Sequence, residues 1–200
     1  MFNKFGRALA ASMVLVLAAP ASGQQNFSDG FTFLKAVRER DGNKVTDLVA
    51  EPGSVVINTR DRSNGEAALH IVTRGRDLNW LTFLLGKGAR PDIQTNRGDT
   101  PLTLAAQIGW LEGVEQLLSK RASVDLPNGR GETALILATQ RRDMPLVRLL
   151  LSRNANPKRT DNVAGMSALD YARQDPRAAT VLKLLEAKAA PAKPVAGPAR

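Results

Sequence analysis

Three glycines, Gly65, Gly98 and Gly131, stand 33 residues apart and open three segments of the same design. The segments begin GEAALHIVTR, GDTPLTLAAQ and GETALILATQ, and carry WLTFLLGKGARPD, VEQLLSKRASVD and VRLLLSRNANPK at equivalent offsets. A fixed period of this length marks a stacked-repeat architecture, in which each unit buries its apolar face only against its neighbours. That constraint precedes all others. It favours a binding surface over a reaction centre and leaves the partner open.

The unit from Gly98 to Arg130 shows how the pattern folds. Leu102, Ala105 and Ala106 share one helical face, and Thr100 before Pro101 suits an N-cap with proline at the first helical position. Gly109 can close that helix in a left-handed conformation. Val114, Leu117 and Leu118 set a second apolar stripe at helical spacing, and Asn128-Gly129 is a turn signal beyond it. The predicted unit is helix, turn, helix and hairpin-like loop. Its apolar positions are mostly Leu, Val and Ala, and aromatic residues make up only 4% of the chain, which suits closely packed helices.

This pattern resembles the ankyrin repeat, whose signature is about 33 residues containing T-P-L-H-x-A. The signature stands here as Ala67-Ala68-Leu69-His70, Thr100-Pro101-Leu102-Thr103 and Thr133-Ala134-Leu135-Ile136, and one residue out of phase as Ser167-Ala168-Leu169-Asp170. The second-helix signal is Gly109-Trp110-Leu111-Glu112-Gly113-Val114, and the helix-ending signal is Leu84-Leu85-Gly86-Lys87-Gly88-Ala89. The resemblance implies an all-α solenoid of about five repeats with divergent caps. Its expected units are 27–60 as an N-terminal cap with a three-residue expansion near Glu51-Pro52-Gly53, then 65–97, 98–130 and 131–164, and 165–187 as a C-terminal cap. Polar residues such as Lys183 and Glu186 suit the open end of a stack.

The termini read differently. Lys4 and Arg7 precede an apolar run from Ala8 to Ala19, followed by small residues with cleavage signals at Ala19-Pro20-Ala21 or Ala21-Ser22-Gly23. Residues 1–23 therefore read as a signal peptide, with an apolar run well short of the roughly 20 residues of a spanning helix. The expected destination is the periplasm of a bacterium or the space beyond it, as a soluble monomer. Residues 188–200, AKAAPAKPVAGPAR less its first residue, form an Ala/Pro-rich basic tail expected to be disordered.

The formal charge of +9 is concentrated at those ends. Lys4 and Arg7 lie in the leader, and Lys188, Lys193 and Arg200 in the tail, which leaves 23 of the 28 bases against 19 acids, or +4. That is a mild basic lean without a nucleic-acid-binding stripe. The absence of cysteine excludes disulfides and thiolate chemistry. His70, the single histidine, cannot build a multi-histidine metal site. Its place in the signature implies a structural job, hydrogen-bonding between neighbouring loops. No cofactor, metal or catalytic residue is expected, and the predicted activity is non-catalytic.

Glu66, Asp99 and Glu132 share one repeat position, Asp92 and Asp125 another, and Asn64, Arg97 and Arg130 a third. Stacked units about 10 Å apart hold such carboxylates too far apart to share a proton or a metal. Two readings stay open: a solvated, charge-balanced surface, or a recognition face. The resemblance implies that hairpin tips and first-helix edges form a concave groove for a protein partner. Carried over by position, that groove comprises Asn64, Glu66 and Arg74; then Asn96, Arg97, Asp99, Gln107 and Ile108; then Arg130, Glu132, Gln140 and Arg141. The four arginines are the preferred anchors, since a planar fork makes several directional bonds. The alternative is electrostatic association with an anionic envelope surface or nucleic acid, through Arg141, Arg142, Arg153, Lys158, Arg159 and the tail. Trp80 is expected to face the core or a neighbour. Trp110, just after Gly109, is either a second contact point or local packing over the turn.

Overall fold

The computed structural model describes residues 22–50 and 54–189. Among the described residues ten α-helices run in chain order: α1 (Ser22–Glu39), α2 (Gly42–Ala50), α3 (Ala68–Arg74), α4 (Leu78–Gly86), α5 (Pro101–Gln107), α6 (Leu111–Ser119), α7 (Ala134–Gln140), α8 (Met144–Ser152), α9 (Ala168–Gln174) and α10 (Ala179–Ala189). Short 3-10 turns cover Val56–Asn58 and Pro176–Ala178. The leader-like segment before Ser22, the Glu51-Pro52-Gly53 expansion and the tail beyond Ala189 lie outside the described residues.

Each odd-numbered helix pairs with the even-numbered helix after it, and the pairs stack in register. The first helices form one layer through α1–α3, α3–α5, α5–α7 and α7–α9 contacts; the second helices form the other through α4–α6, α6–α8 and α8–α10. The expected all-α repeat solenoid is the fold observed. Small side chains make the close approach possible: Ala68, Ala105, Ala134, Ala138 and Ala168 are fully buried in the first-helix layer. Leu81, Leu84, Leu117, Leu146 and Leu150 fill the space between the layers. Burying a leucine side chain is worth about 1.5–3 kcal/mol. The core is therefore one continuous cluster from Phe33 to Leu185.

The first helices start where the sequence puts a cap. The hydroxyls of Thr100, Thr133 and Ser167 accept the backbone N–H of Thr103, Ile136 and Asp170. In α3 the cap position is Ala67, which has no acceptor, and His70 supplies the reciprocal half of the bond. Its Nδ1 accepts the Ala67 N–H at 3.1 Å, as the Thr103 hydroxyl accepts the Thr100 N–H at 2.9 Å. The second helices α4 and α8 are capped by Asp77 and Asp143.

The equivalent cap position of α6 is Trp110, which explains where that side chain goes. It is buried, and its ring folds back over the third residue of the helix, Gly113, where an added Cβ would lie 2.1 Å from the ring. Trp110 is thus local packing, and the contact-point reading is corrected. Trp80 is half-buried against the core with its ring edge-on to Phe83 at 5.8 Å.

Two further features follow the 33-residue period. Left-handed backbone recurs at Arg76, Gly109 and Arg142 between paired helices, and at Gly88, Arg121 and Asn154 after the second helices. On the second-helix side, carboxylate or amide oxygens of Asn58, Asp92 and Asp125 accept the backbone N–H of Arg90, Ser123 and Asn156 in the following unit, at 2.8–2.9 Å. Asp92 and Asp125 therefore tie unit to unit.

Candidate binding groove

Between units the chain forms hairpin loops, and these carry the candidate site. Each loop is fixed from within by a side-chain oxygen. Thr95 Oγ1 accepts the N–H of Arg97 and Asp99; Asn128 Oδ1 accepts those of Arg130 and Glu132; Asp161 Oδ1 accepts those of Val163, Ala164 and Gly165. Loops are then joined through the backbone. The carbonyls of Asn64, Arg97 and Arg130 accept the N–H of Asn96, Gly129 and Asn162, at 2.9, 3.0 and 2.9 Å. Gly98 shows why the loop needs glycine. Its φ is +77°, and a Cβ there would lie 2.5 Å from the backbone nitrogen of Gly129.

His70 links this row to the helices. It is fully buried, and because Nδ1 accepts from Ala67, the proton sits on Nε2 and donates to the Asp99 carbonyl at 3.0 Å. Burial pushes its pKa below the ordinary imidazole value, so the ring stays neutral. The implied bridging role between neighbouring loops is the one observed. At the ends of the row, hydrogen bonds from Ser63 and Arg38 hold Asp61 down to about 2. Burial raises the Asp161 carboxyl, but bonds from the Tyr171 hydroxyl and loop N–H groups outweigh it and hold the group low.

The loops enclose two adjoining crevices. One, about 390 Å³, brings together Asn64, Glu66, Arg74, Asn96 and Arg97. The other, about 690 Å³, brings together Asn96, Arg97, Asp99, Gln107, Arg130 and Glu132. Asn96 and Arg97 line both, so the two form one groove along the hairpin row. Ile108, Gln140 and Arg141 are not among the residues lining it. Ile108 is half-buried, and its carbonyl accepts the Arg76 guanidinium. Gln140 is exposed at the end of α7. The Arg141 guanidinium lies over Gly109, 2.5 Å from where a Cβ would stand.

Charge in the groove is balanced in number but layered in depth. Arg97 pairs with Asp99, Arg130 with Glu132, and Arg74 with Glu66. The arginine side chains are 80%, 67% and 54% exposed, whereas the carboxylates are 19%, 7% and 17% exposed. The acids are also occupied within their own loops: Asn128 donates to Glu132 at 2.9 Å and Asn64 to Glu66 at 3.1 Å. Solvent therefore meets guanidinium groups, with the acids recessed behind them. Nothing in the sequence ladders signals that difference in depth. Among the described residues no three His, Asp or Glu side chains converge as a metal site, and no helix is long and apolar enough to cross a membrane.

The family described as ankyrin repeats (3 copies) matches residues 33–128 and 106–193, which together span 33–193. The chain is also similar to the nuclear factor NF-kappa-B p110 subunit of Drosophila melanogaster, 33% identical over 60 residues. That stretch is 30% of this chain and 6% of the fly protein.

Proposed function

Because the chain belongs to the ankyrin-repeat family, we propose that it is a non-catalytic scaffold that holds a protein partner in the groove of its hairpin row. Ankyrin repeats are generally protein-interaction modules, and the family is typically non-enzymatic. The observation that carries the groove reading is the continuity of the two crevices across Asn96 and Arg97, on a backbone tied from loop to loop. Such a surface is rigid before a partner arrives, which lowers the entropy lost on binding. The leader-like segment supports an activity outside the cytosol.

A photo-crosslinker at Gln107, in the groove, tests this against one at Glu115, on the second-helix side. A discrete adduct from position 107 alone is expected. Adducts from position 115 alone, or equal adducts from both, reject the assignment. Periplasmic or extracellular recovery of a chain shortened near residue 21 or 23 is the expected result of fractionation.

A second reading is favoured by Arg153, Lys158 and Arg159, which are exposed and have no carboxylate partner among the described residues. Under it, the fourth unit associates with an anionic envelope surface or nucleic acid. Such association weakens steeply with salt, whereas capture in the groove persists.

A further inference from the structure

Resting on the groove reading above, we propose that the groove's occupant is an extended acidic segment of the partner protein, with carboxylates three residues apart. The layering of charge carries this. Each groove carboxylate is recessed and already bonded inside its own loop, so it has little left to offer a partner's cation. Each exposed guanidinium presents five donors and uses few of them, Arg97 through Nε to Asp99 at 3.3 Å and Arg130 to Glu132 at 3.6 Å. These are long contacts, and a partner carboxylate can take the unused edge of the fork in two parallel bonds.

Spacing fixes the form of the ligand. Arg97 and Arg130 occupy equivalent positions in successive units, about 10 Å apart by the usual separation of packed helices. An extended chain in polyproline II conformation advances about 3.1 Å per residue with three residues per turn, so every third side chain faces the same way and the third residue reaches the second arginine. Gln107 lines the same crevice, and its amide offers donors and an acceptor to the ligand's backbone.

The same groove disfavours a nucleic acid. No aromatic side chain lines either crevice to stack a base. Asp99 and Glu132 balance Arg97 and Arg130 in charge, so a dense polyanion gains little there, while two carboxylates placed on the arginine forks gain directional bonds.

The test uses the full chain and fluorescent serine/threonine peptides with glutamate at every third position, with the same glutamates contiguous, or with glutamine in their place. The spaced peptide is expected to bind best, and the double variant Arg97→Glu/Arg130→Glu to weaken it about tenfold or more. That variant is expected to prefer a peptide with lysine at every third position. Equal binding of the three peptides overturns the proposal. So does displacement of the spaced peptide by single-stranded DNA or phosphatidylglycerol vesicles at matched anionic charge, with the same dependence on both arginines. A crosslinked segment at Gln107 that lacks acidic residues overturns this inference and leaves the groove standing. Adducts confined to Glu115 remove the groove itself.

Discussion

The arginines that face the groove and those at the turns between paired helices are used in opposite ways. On the hairpin edge, Arg97 and Arg130 bond to carboxylates two residues ahead, within their own loop. On the edge of short turns between paired helices, Arg40 and Arg142 reach Asp77 and Asp175 in the following unit, and Arg76 reaches the Ile108 carbonyl. Arg40, Arg76 and Arg142 also hold left-handed backbone, where the third unit has Gly109. A non-glycine residue there costs about 1–2 kcal/mol, which the bridge to the next unit helps offset. Where glycine stands, the bridge comes from the other side, as Arg141 lies over Gly109. A bond confined to one loop leaves its arginine available to a partner; a bond that crosses to the next unit makes the arginine part of the stack.

The hairpin edge breaks most severely at its backbone. Gly98→Val forces a β-branched residue into left-handed geometry and against Gly129, and is expected to lower stability by about 3 kcal/mol or more. Urea unfolding followed by circular dichroism reads this directly.

His70→Leu cuts the bond between helix and hairpin edge, leaving the Ala67 N–H unpaired and the Asp99 carbonyl with the Thr95 N–H alone, a loss of about 2 kcal/mol. It also removes a pH dependence. The native ring is neutral with a lowered pKa, so the unfolded chain takes up the proton first as pH falls below about 6.5. The stability due to His70 is present above that value and is lost as pH falls toward the native pKa. The wild-type melting temperature is expected to drop across this window more than that of His70→Leu. Asp61, at about 2, loses its contribution only below about 3.8, in a separate range.

On the turn edge, Arg76→Ala and Arg76→Gly separate bridge from backbone. Both lose the bond to Ile108, but only glycine relieves the left-handed strain. Arg76→Gly is expected to be about 1 kcal/mol more stable than Arg76→Ala. Equal stabilities would show that the turn carries no strain. The smallest effect belongs to the paired change Arg97→Gln/Arg130→Gln, which is expected to alter stability by less than about 0.5 kcal/mol, since exposed ion pairs contribute little. A large loss there would erase the contrast between the edges.

The period of Gly65, Gly98 and Gly131 and the stripes of Leu102, Val114 and Leu117 make the solenoid legible in the sequence, because each unit repeats the same local rules. Position 109 is legible as a left-handed turn for the same reason. Arg76 and Arg142 are not, since propensity points to glycine and the compensating bond reaches about one period along the chain. The groove is half legible. Residue type and offset bring Asn96, Arg97, Asp99 and Gln107 to one crevice, but burial depth separates Asp99 and Glu132 from their arginines, and depth depends on how the loops lean on one another. Trp110 escaped because its cap position in α6 shows only by comparison with Asp77 and Asp143.

The backbone rungs from Asn64, Arg97 and Arg130 to the loops that follow use one geometry at three successive junctions. A duplicated stretch spliced in at such a junction meets the same donors and acceptors upstream and downstream as the original. The molecule can therefore be lengthened by copying, without redesign of either end, and its reach along an extended ligand scales with the number of copies.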